Sequence, residues 1–249
     1  MEAIVTLIDP FTFVFVSAGI FAGALVSGLV GFAFSAVAGV VLLHVLPPIE
    51  AIPLMMACSI VTQLASLVAL RQTVRWRASP LLIGGGLLGV MPALYLLNHV
   101  DATTFRIGFG VFLTGYAAIM LFRPKVTVAS PALAGWSLAI VGFGGGLSGA
   151  LTAMPGALPT MWCDLRSMPK DQQRALVQPY ILALQVFALT LMLVQNMFTQ
   201  QALINVACSL PALSAGVAVG IVMFRRINDA AFRSAVLVVL FFAGMLLAV

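Results

Sequence analysis

The chain has 249 residues, of which 62% are hydrophobic and 8% are charged, and its mean hydropathy is +1.16. Soluble domains carry about 25% charged residues, so this composition excludes a soluble globular protein. The net charge of +5 comes from bases scattered over short segments rather than from one basic domain. We therefore expect no nucleic-acid partner.

Long runs without any Asp, Glu, Lys or Arg decide the class of protein; they are residues 11–48, 126–163 and 175–224. A single transmembrane helix needs only about 20 apolar residues. A membrane β-barrel would instead show segments of about 10 residues with alternating polarity. The sequence thus predicts an all-α polytopic integral membrane protein whose surroundings are a lipid bilayer.

The apolar segments, in chain order, are 11–46, 51–70, 79–98, 104–122, 131–163, 175–197, 201–223 and 234–249. As one straight helix, the first or the fifth would be about 50 Å long, against a hydrocarbon core of about 30 Å. Both segments are rich in glycine, and the fifth also contains Pro155. Each is therefore predicted to be interrupted, either as a re-entrant hairpin or as two short spans.

The distribution of basic residues predicts the orientation. If each long segment enters the membrane and returns, all basic residues except Arg106 share one face, which the positive-inside rule makes cytoplasmic. These residues are Arg71, Arg75, Arg77, Arg123, Lys125, Arg166, Lys170, Arg174, Arg225, Arg226 and Arg233. We then expect a multi-pass protein of the bacterial inner membrane, with both termini, Glu50 and Asp101 on the periplasmic side.

An internal repeat is consistent with this geometry. Ser27-Gly28 and Ser148-Gly149 are 121 positions apart (148 − 27 = 121), and so are Pro48 and Pro169. We interpret residues 1–125 and 126–249 as two inverted-topology repeats, each a Gly-broken first segment plus three transmembrane helices. Such repeats are typical of secondary transporters. Chance alignment of a few Gly, Ser and Pro residues is the alternative.

The two interruptions are the candidate substrate site. Broken helices persist at membrane depth only where they line a cavity or are buried in protein, and they expose helix N-termini. The alternative is that the glycines only allow close helix packing, as Gly19/Gly23, Gly145/Gly149 and Gly216/Gly220 would. The candidate substrate-binding residues are Ser27, Gly28, Gly31 and Ser35 in the first interruption, Ser148, Gly149, Thr152, Pro155 and Gly156 in the second, and Gln63, Gln178 and Gln185 in neighbouring spans.

Other chemistry has little support in the sequence. Cys58, Cys163 and Cys208 lack metal-ligand spacing and are odd in number, so we expect buried thiols, no metal and no cofactor. The segment 146–149 resembles the G-x-S-G motif of rhomboid intramembrane proteases. The histidines, His44 and His99, lie upstream of it near predicted membrane edges, so no base activates the serine and we expect no enzyme. A membrane scaffold remains the other alternative.

Several segments resemble the TauE/SafE family of sulfite exporters, which includes 4-toluene sulfonate uptake permeases. In the first half they are 31–39, 46–53 and 71–77, and in the second half 142–149, 155–156, 164–174 and 178–180. The chain departs from the family where Gly-Gly-Pro is replaced by Met154-Pro155-Gly156, and where the mid-helix Asn residues are Gln63 and Gln185.

This resemblance implies a transporter of small sulfur-containing or organic anions, such as sulfite, sulfonates or sulfoacetate, across the bacterial inner membrane. The partners that we expect are the anionic substrate, the bilayer and a second copy in a homo-oligomer, a dimer. The spans carry no Lys or Arg at depth, so such an anion would depend on helix N-termini and hydroxyl groups.

Overall fold

The computed structural model describes residues 10–30, 33–70, 80–122, 135–166, 168–196 and 200–224, together with part of 234–245. The predicted site residue Gly31 and the basic segments at 71–77, 123–125 and 225–233 lie outside the described residues. Helices with described bounds are α1 (Pro10–Val30), α2 (Phe34–Val45), α3 (Pro48–Leu70), α4 (Pro80–His99), α5 (Ala102–Phe122), α6 (Gly135–Thr152), α7 (Ala157–Leu165), α8 (Lys170–Val194) and α9 (Gln200–Phe224).

Six of the described helices, α1, α3, α4, α5, α8 and α9, are long and apolar enough to cross a membrane. Proline begins α3 and α4, where its missing N–H costs the helix no hydrogen bond. Large apolar side chains lie on the outer surface, among them Leu88 and Val111. The predicted all-α polytopic membrane fold is confirmed.

Both anomalously long apolar segments are interrupted, as the sequence predicts. The first break lies between α1 and α2, and the second, at 153–156, separates α6 from α7. At 12 and 9 residues, α2 and α7 are about 18 and 14 Å long, too short to cross a bilayer.

Each short helix folds back along the long helix that precedes it. Gly19 of α1 faces Val41 near the end of α2, while Gly23 faces Phe34 at its beginning. In the second half, Gly149 of α6 contacts Pro155, and Gly145, one turn earlier, also faces Pro159. Both breaks therefore reverse the chain direction, and each long segment is a hairpin.

Glycine allows two helix pairs to pack backbone against backbone. On α4, a Cβ atom at Gly85 or Gly89 would overlap a carbonyl oxygen of α6, and a Cβ at Gly146 would overlap the Gly86 carbonyl oxygen. The pair α1–α9 is similar, since a Cβ on Gly216 would lie 2.6 Å from the Phe21 carbonyl oxygen. Small residues make such close approach possible in membranes. Of the glycine pairs named from the sequence, Gly216/Gly220 packs in this way, since a Cβ on Gly220 would overlap the Leu25 carbonyl oxygen.

Helices α3 and α8 contact each other in the centre of the bundle and also pack against α9 and α4, respectively. Most of the buried polar side chains discussed below belong to these two helices. Cys58 and Cys163 are fully buried free thiols and Cys208 is half-buried, which confirms the expectation for the first two.

Candidate functional site

A buried hydrogen-bond network joins the second break to α3 and α8. The Gln185 Nε2 of α8 donates to the Ser59 Oγ of α3 at 2.9 Å and to the Ala153 carbonyl oxygen at 3.2 Å. Ser59 is at the middle of the 23-residue helix α3. If α3 crosses the membrane, this network lies near the bilayer midplane.

The first break joins the same network. Ser35, in the first turn of α2, donates its hydroxyl hydrogen to the Ala153 carbonyl oxygen at 2.7 Å. Ser35, Ser59 and Gln185 are each at most 2% exposed. We call Ser35, Ser59, Ala153 and Gln185 the polar junction. It brings the two breaks, which are 118 residues apart in the chain, into direct contact.

Ala153 is the member of the junction that sequence reasoning missed. Its φ of 54° lies in the left-handed region, which costs a non-glycine residue about 1–2 kcal/mol. The next turn does not use its carbonyl group, because the Ala157 N–H donates to Met154 instead, at 3.3 Å. Nothing in the identity of an alanine indicates a backbone acceptor, whereas Ser59, a polar residue within an apolar span, has a detectable signal in the sequence.

Two helix N-termini begin at the breaks without a side-chain cap. Helix α2 starts after Ala33 and α7 after Gly156, and neither residue provides a capping hydrogen bond. By contrast, the Asp101 carboxylate caps α5 by accepting from the Thr104 N–H at 2.9 Å. The first N–H groups of a helix and its positive dipole end favour anions. The breaks therefore offer two places for an anion's oxygen atoms.

The remaining candidates of the first break have different surroundings. Ser27 is buried in α1. Gly28 faces α9, where an added Cβ would lie 3.1 Å from both the Gly220 Cα and the Val217 carbonyl oxygen. Gly28 thus packs helices together in this structure.

In the second break, Ser148 and Thr152 bond within their own helix. Ser148 Oγ donates to the Gly145 carbonyl oxygen at 3.3 Å, and Thr152 Oγ1 donates to that of Ser148 at 2.7 Å. Gly149, Pro155 and Gly156 are buried, and Gly149 leaves room for Pro155. These residues shape the break, while Ser35 and Gln185 connect it to the rest of the bundle.

All three predicted glutamines are buried. Gln63 lies one helical turn after Ser59 on α3, and Gln178 lies two turns before Gln185 on α8. Neither polar atom of the Gln178 amide has a hydrogen-bond partner among the described residues. Side chains at i and i+7 share a helix face, so Gln178 and Gln185 form a buried amide stripe along α8.

Charged side chains are distant from the junction along the chain. On α3, Glu50 lies 9 residues from Ser59, or about 14 Å of helix, and in the sequence Arg71 follows Ser59 by 12 residues. On α8 Arg174 precedes Gln185 by 11 residues. Along these two helices, the groups beside the junction are therefore dipoles and hydrogen-bonding groups rather than charges.

A narrow crevice adjoins the junction. It is lined by Gln185 and by mainly apolar groups: Met56, Val90, Gly146, Gly149, Ala150, Pro155, Leu184 and Ala188. The crevice is too narrow to hold a water molecule. An anion could reach the junction from here only after the surrounding helices move apart.

Among the residues that the structure describes, no base lies beside the serine of the rhomboid-like motif. Ser148 donates within α6, while His44 and His99 are exposed and each places its Nδ1 on a carbonyl oxygen of its own helix, at 2.6 and 2.7 Å. A serine nucleophile requires a base within hydrogen-bond reach.

Comparison with protein families gives one match of nearly full length. Residues 15–247 match the family model described as "Sulfite exporter TauE/SafE". Neither the curated proteins nor the solved structures contain a match to the chain. The match covers both breaks and every helix that contributes to the polar junction.

Proposed function

Because that match spans nearly the whole chain, the protein belongs to the TauE/SafE family of sulfite exporters, and we propose that it is a secondary transporter of small sulfur-containing or organic anions. The family is one of membrane transporters rather than enzymes, and the chain is a multi-pass membrane protein. We place the substrate site at the polar junction. We place the protein in the inner membrane of a bacterial cell.

The observation that carries this proposal is the hydrogen bond from Ser35 to Ala153. It places the two breaks, and with them the uncapped N-termini of α2 and α7, around one buried point. Packing alone would need neither a left-handed residue nor two buried polar side chains that donate to its carbonyl group.

The chemistry of the junction suits an anion that must also be released. Each helix N-terminus contributes about 0.3–1 kcal/mol to binding a negative charge, and up to about 2 kcal/mol when it is partly buried. The hydroxyl of Ser35 and the amide of Gln185 add hydrogen-bond donors once their present bonds are exchanged. Without a fixed cation, attraction stays moderate, which favours turnover over trapping.

Helix pairing supports the inverted repeat as the basis of alternating access. With an offset of about 121 residues, α1 corresponds to α6 and α4 to α9. The glycine-packed pair α4–α6 then corresponds to the glycine-packed pair α9–α1. Rocking of these two units around the junction would open the crevice from one side at a time.

The orientation is a further part of the proposal. The basic residues other than Arg106 lie on the cytoplasmic face, and both termini with Asp101 lie in the periplasm. Single-cysteine variants Arg75→Cys and Lys170→Cys should be labelled from the same side by a membrane-impermeant maleimide, and Asp101→Cys from the other. Labelling of positions 75 and 170 from opposite sides would contradict the inverted arrangement.

Flux measurements test the proposed activity. Proteoliposomes containing the full chain should take up ³⁵S-labelled sulfite, with unlabelled thiosulfate, methanesulfonate and acetate as competitors that rank the substrate class. Gln185→Leu should weaken apparent affinity tenfold to a hundredfold, about 1.4–2.8 kcal/mol. The matched control is Thr190→Val, an exposed α8 residue that bonds only its own helix at 2.8 Å. Absence of flux for every anion would overturn the proposal.

A further inference from the structure

The orientation of the Gln185 amide is fixed by its partners. A backbone carbonyl oxygen can only accept a hydrogen bond, so the atom that contacts the Ala153 oxygen must be the amide nitrogen. The amide oxygen, Oε1, is then the remaining end of the group. It is buried and has no hydrogen-bond partner among the described residues.

Neighbouring groups cannot supply the missing donor in this arrangement. The single hydroxyl hydrogen of Ser35 goes to Ala153, and the Ser59 Oγ bonds to the Nε2 end of the Gln185 amide, while no donor of the described residues bonds to Oε1. The other side chains that line the crevice are apolar. Buried acceptors are normally paired, so an acceptor left open beside a binding crevice points to a donor on the ligand.

Charge leads to the same type of ligand. A dianion loses far more hydration on burial than a monoanion, because the Born cost rises with the square of the charge. The apolar run that contains Gln185, residues 175–224, has no charged residue to compensate for that cost. An oxyanion that retains one proton needs less compensation and brings an O–H donor for Oε1.

We infer that the polar junction binds its oxyanion as the protonated monoanion, with the ligand's O–H donating to Gln185 Oε1. For sulfite, this form is hydrogen sulfite. The inference rests on the proposed function and narrows its substrate class. Methanesulfonate has the same charge and no proton, so its oxygen atoms would face an acceptor, and sulfate would add a second uncompensated charge.

The pH dependence of binding contains contributions from the ligand and from titratable protein groups near α8. The experiment must distinguish the two. The helices packed against α8 are α3, α4, α6 and α7. Their titratable side chains, with those of α8 itself, are Glu50, Cys58, Tyr95, His99, Cys163, Asp164, Lys170, Asp171, Arg174 and Tyr180. Of these residue types, histidine is the one whose ordinary pKa lies near neutral pH, so His99→Gln is the necessary control.

Equilibrium binding to the purified full chain tests the inference. Binding of ³⁵S-labelled sulfite is measured from about pH 5.5 to 8, across the second pKa of sulfite, with methanesulfonate and sulfate as competitors. Affinity for total sulfite should fall about tenfold per pH unit above that pKa, because only the protonated fraction binds. His99→Gln and Thr190→Val should keep this profile. Near pH 6, sulfite should bind at least about tenfold more tightly than methanesulfonate.

Gln185→Met then tests the role of Oε1, because it keeps the side-chain length and removes the amide. Sulfite should lose most of its advantage over methanesulfonate, although both are monoanions near pH 6. An unchanged ratio in a folded variant would overturn the assignment to Gln185. Sulfite affinity that is constant or rises with pH in the wild-type protein would overturn the protonated form while leaving transport intact. If none of the three anions bound at any pH, the proposed function itself would fail.

Discussion

The two glycine-packed helix pairs and the polar junction are built in different ways. In α4–α6 and α1–α9, glycine removes side chains so that backbones touch over several turns. At the junction, the chain stops being helical, and buried polar groups converge on one carbonyl oxygen. The first arrangement provides rigid units, and the second provides a point where those units meet. Under the proposed function, stability and binding reside in separable sets of residues.

The largest expected effect lies in the packed pairs. At Gly89, an added Cβ would overlap the Phe143 carbonyl oxygen and lie 2.8 Å from the Leu147 nitrogen. Gly89→Ala should therefore lower the free energy of unfolding by about 1–3 kcal/mol or more, because the helices must separate. Thermal unfolding in detergent, followed by size-exclusion fluorescence, measures this change.

Gly84, on the same helix, is the matched control. An added Cβ there meets nothing within 4 Å. Gly84→Ala should leave stability unchanged or raise it by up to about 1 kcal/mol through helix propensity. If Gly89→Ala and Gly84→Ala unfolded at the same temperature, the difference between packed and open glycines would be lost.

A smaller effect on stability and a larger one on binding are expected at the junction. Ser35→Ala removes the link between the breaks and should weaken sulfite binding about tenfold, which corresponds to about 1.4 kcal/mol. Ser148→Ala should change affinity by less than about threefold, because its hydroxyl bonds within its own helix. Equilibrium binding of labelled sulfite compares the two serines. Equal losses would mean that the link between the breaks has no special role.

Much of this division could be predicted from the sequence, and part of it could not. Two apolar segments are much longer than the hydrocarbon core is thick, which predicts both breaks. Ser35 and Gln185 are identified because they are polar residues within apolar spans. The packing of Gly28 on α9 depends on which helices become neighbours, which no local pattern encodes. The role of Ala153 is a backbone property, because its left-handed conformation frees a carbonyl group whatever the side chain.

The smallest expected effect concerns the capping of α5 by Asp101. The N-termini of α2 and α7, by contrast, have no side-chain cap. The side-chain hydroxyl and the backbone N–H of Thr104 both donate to the exposed Asp101 carboxylate, and these hydrogen bonds lower its pKa. The native state therefore favours the charged form. This contribution to stability is present above the ordinary aspartate pKa and is lost as pH falls through the lowered value. Asp101→Ala should slightly reduce the melting temperature at neutral pH and make no difference in strong acid. An equal reduction at both pH values would contradict the capping role.

The central claim is that the two breaks together bind the anion. Selenite is the selenium counterpart of sulfite, and diffraction at the selenium edge from crystals grown with it would locate the anion directly. We expect an anomalous peak at the polar junction, with oxygen atoms about 3 Å from the Ser35 hydroxyl and the Gln185 amide. Selenite bound at another place, in a protein that still transports sulfite, would contradict the claim. The breaks would then serve only the packing of helices.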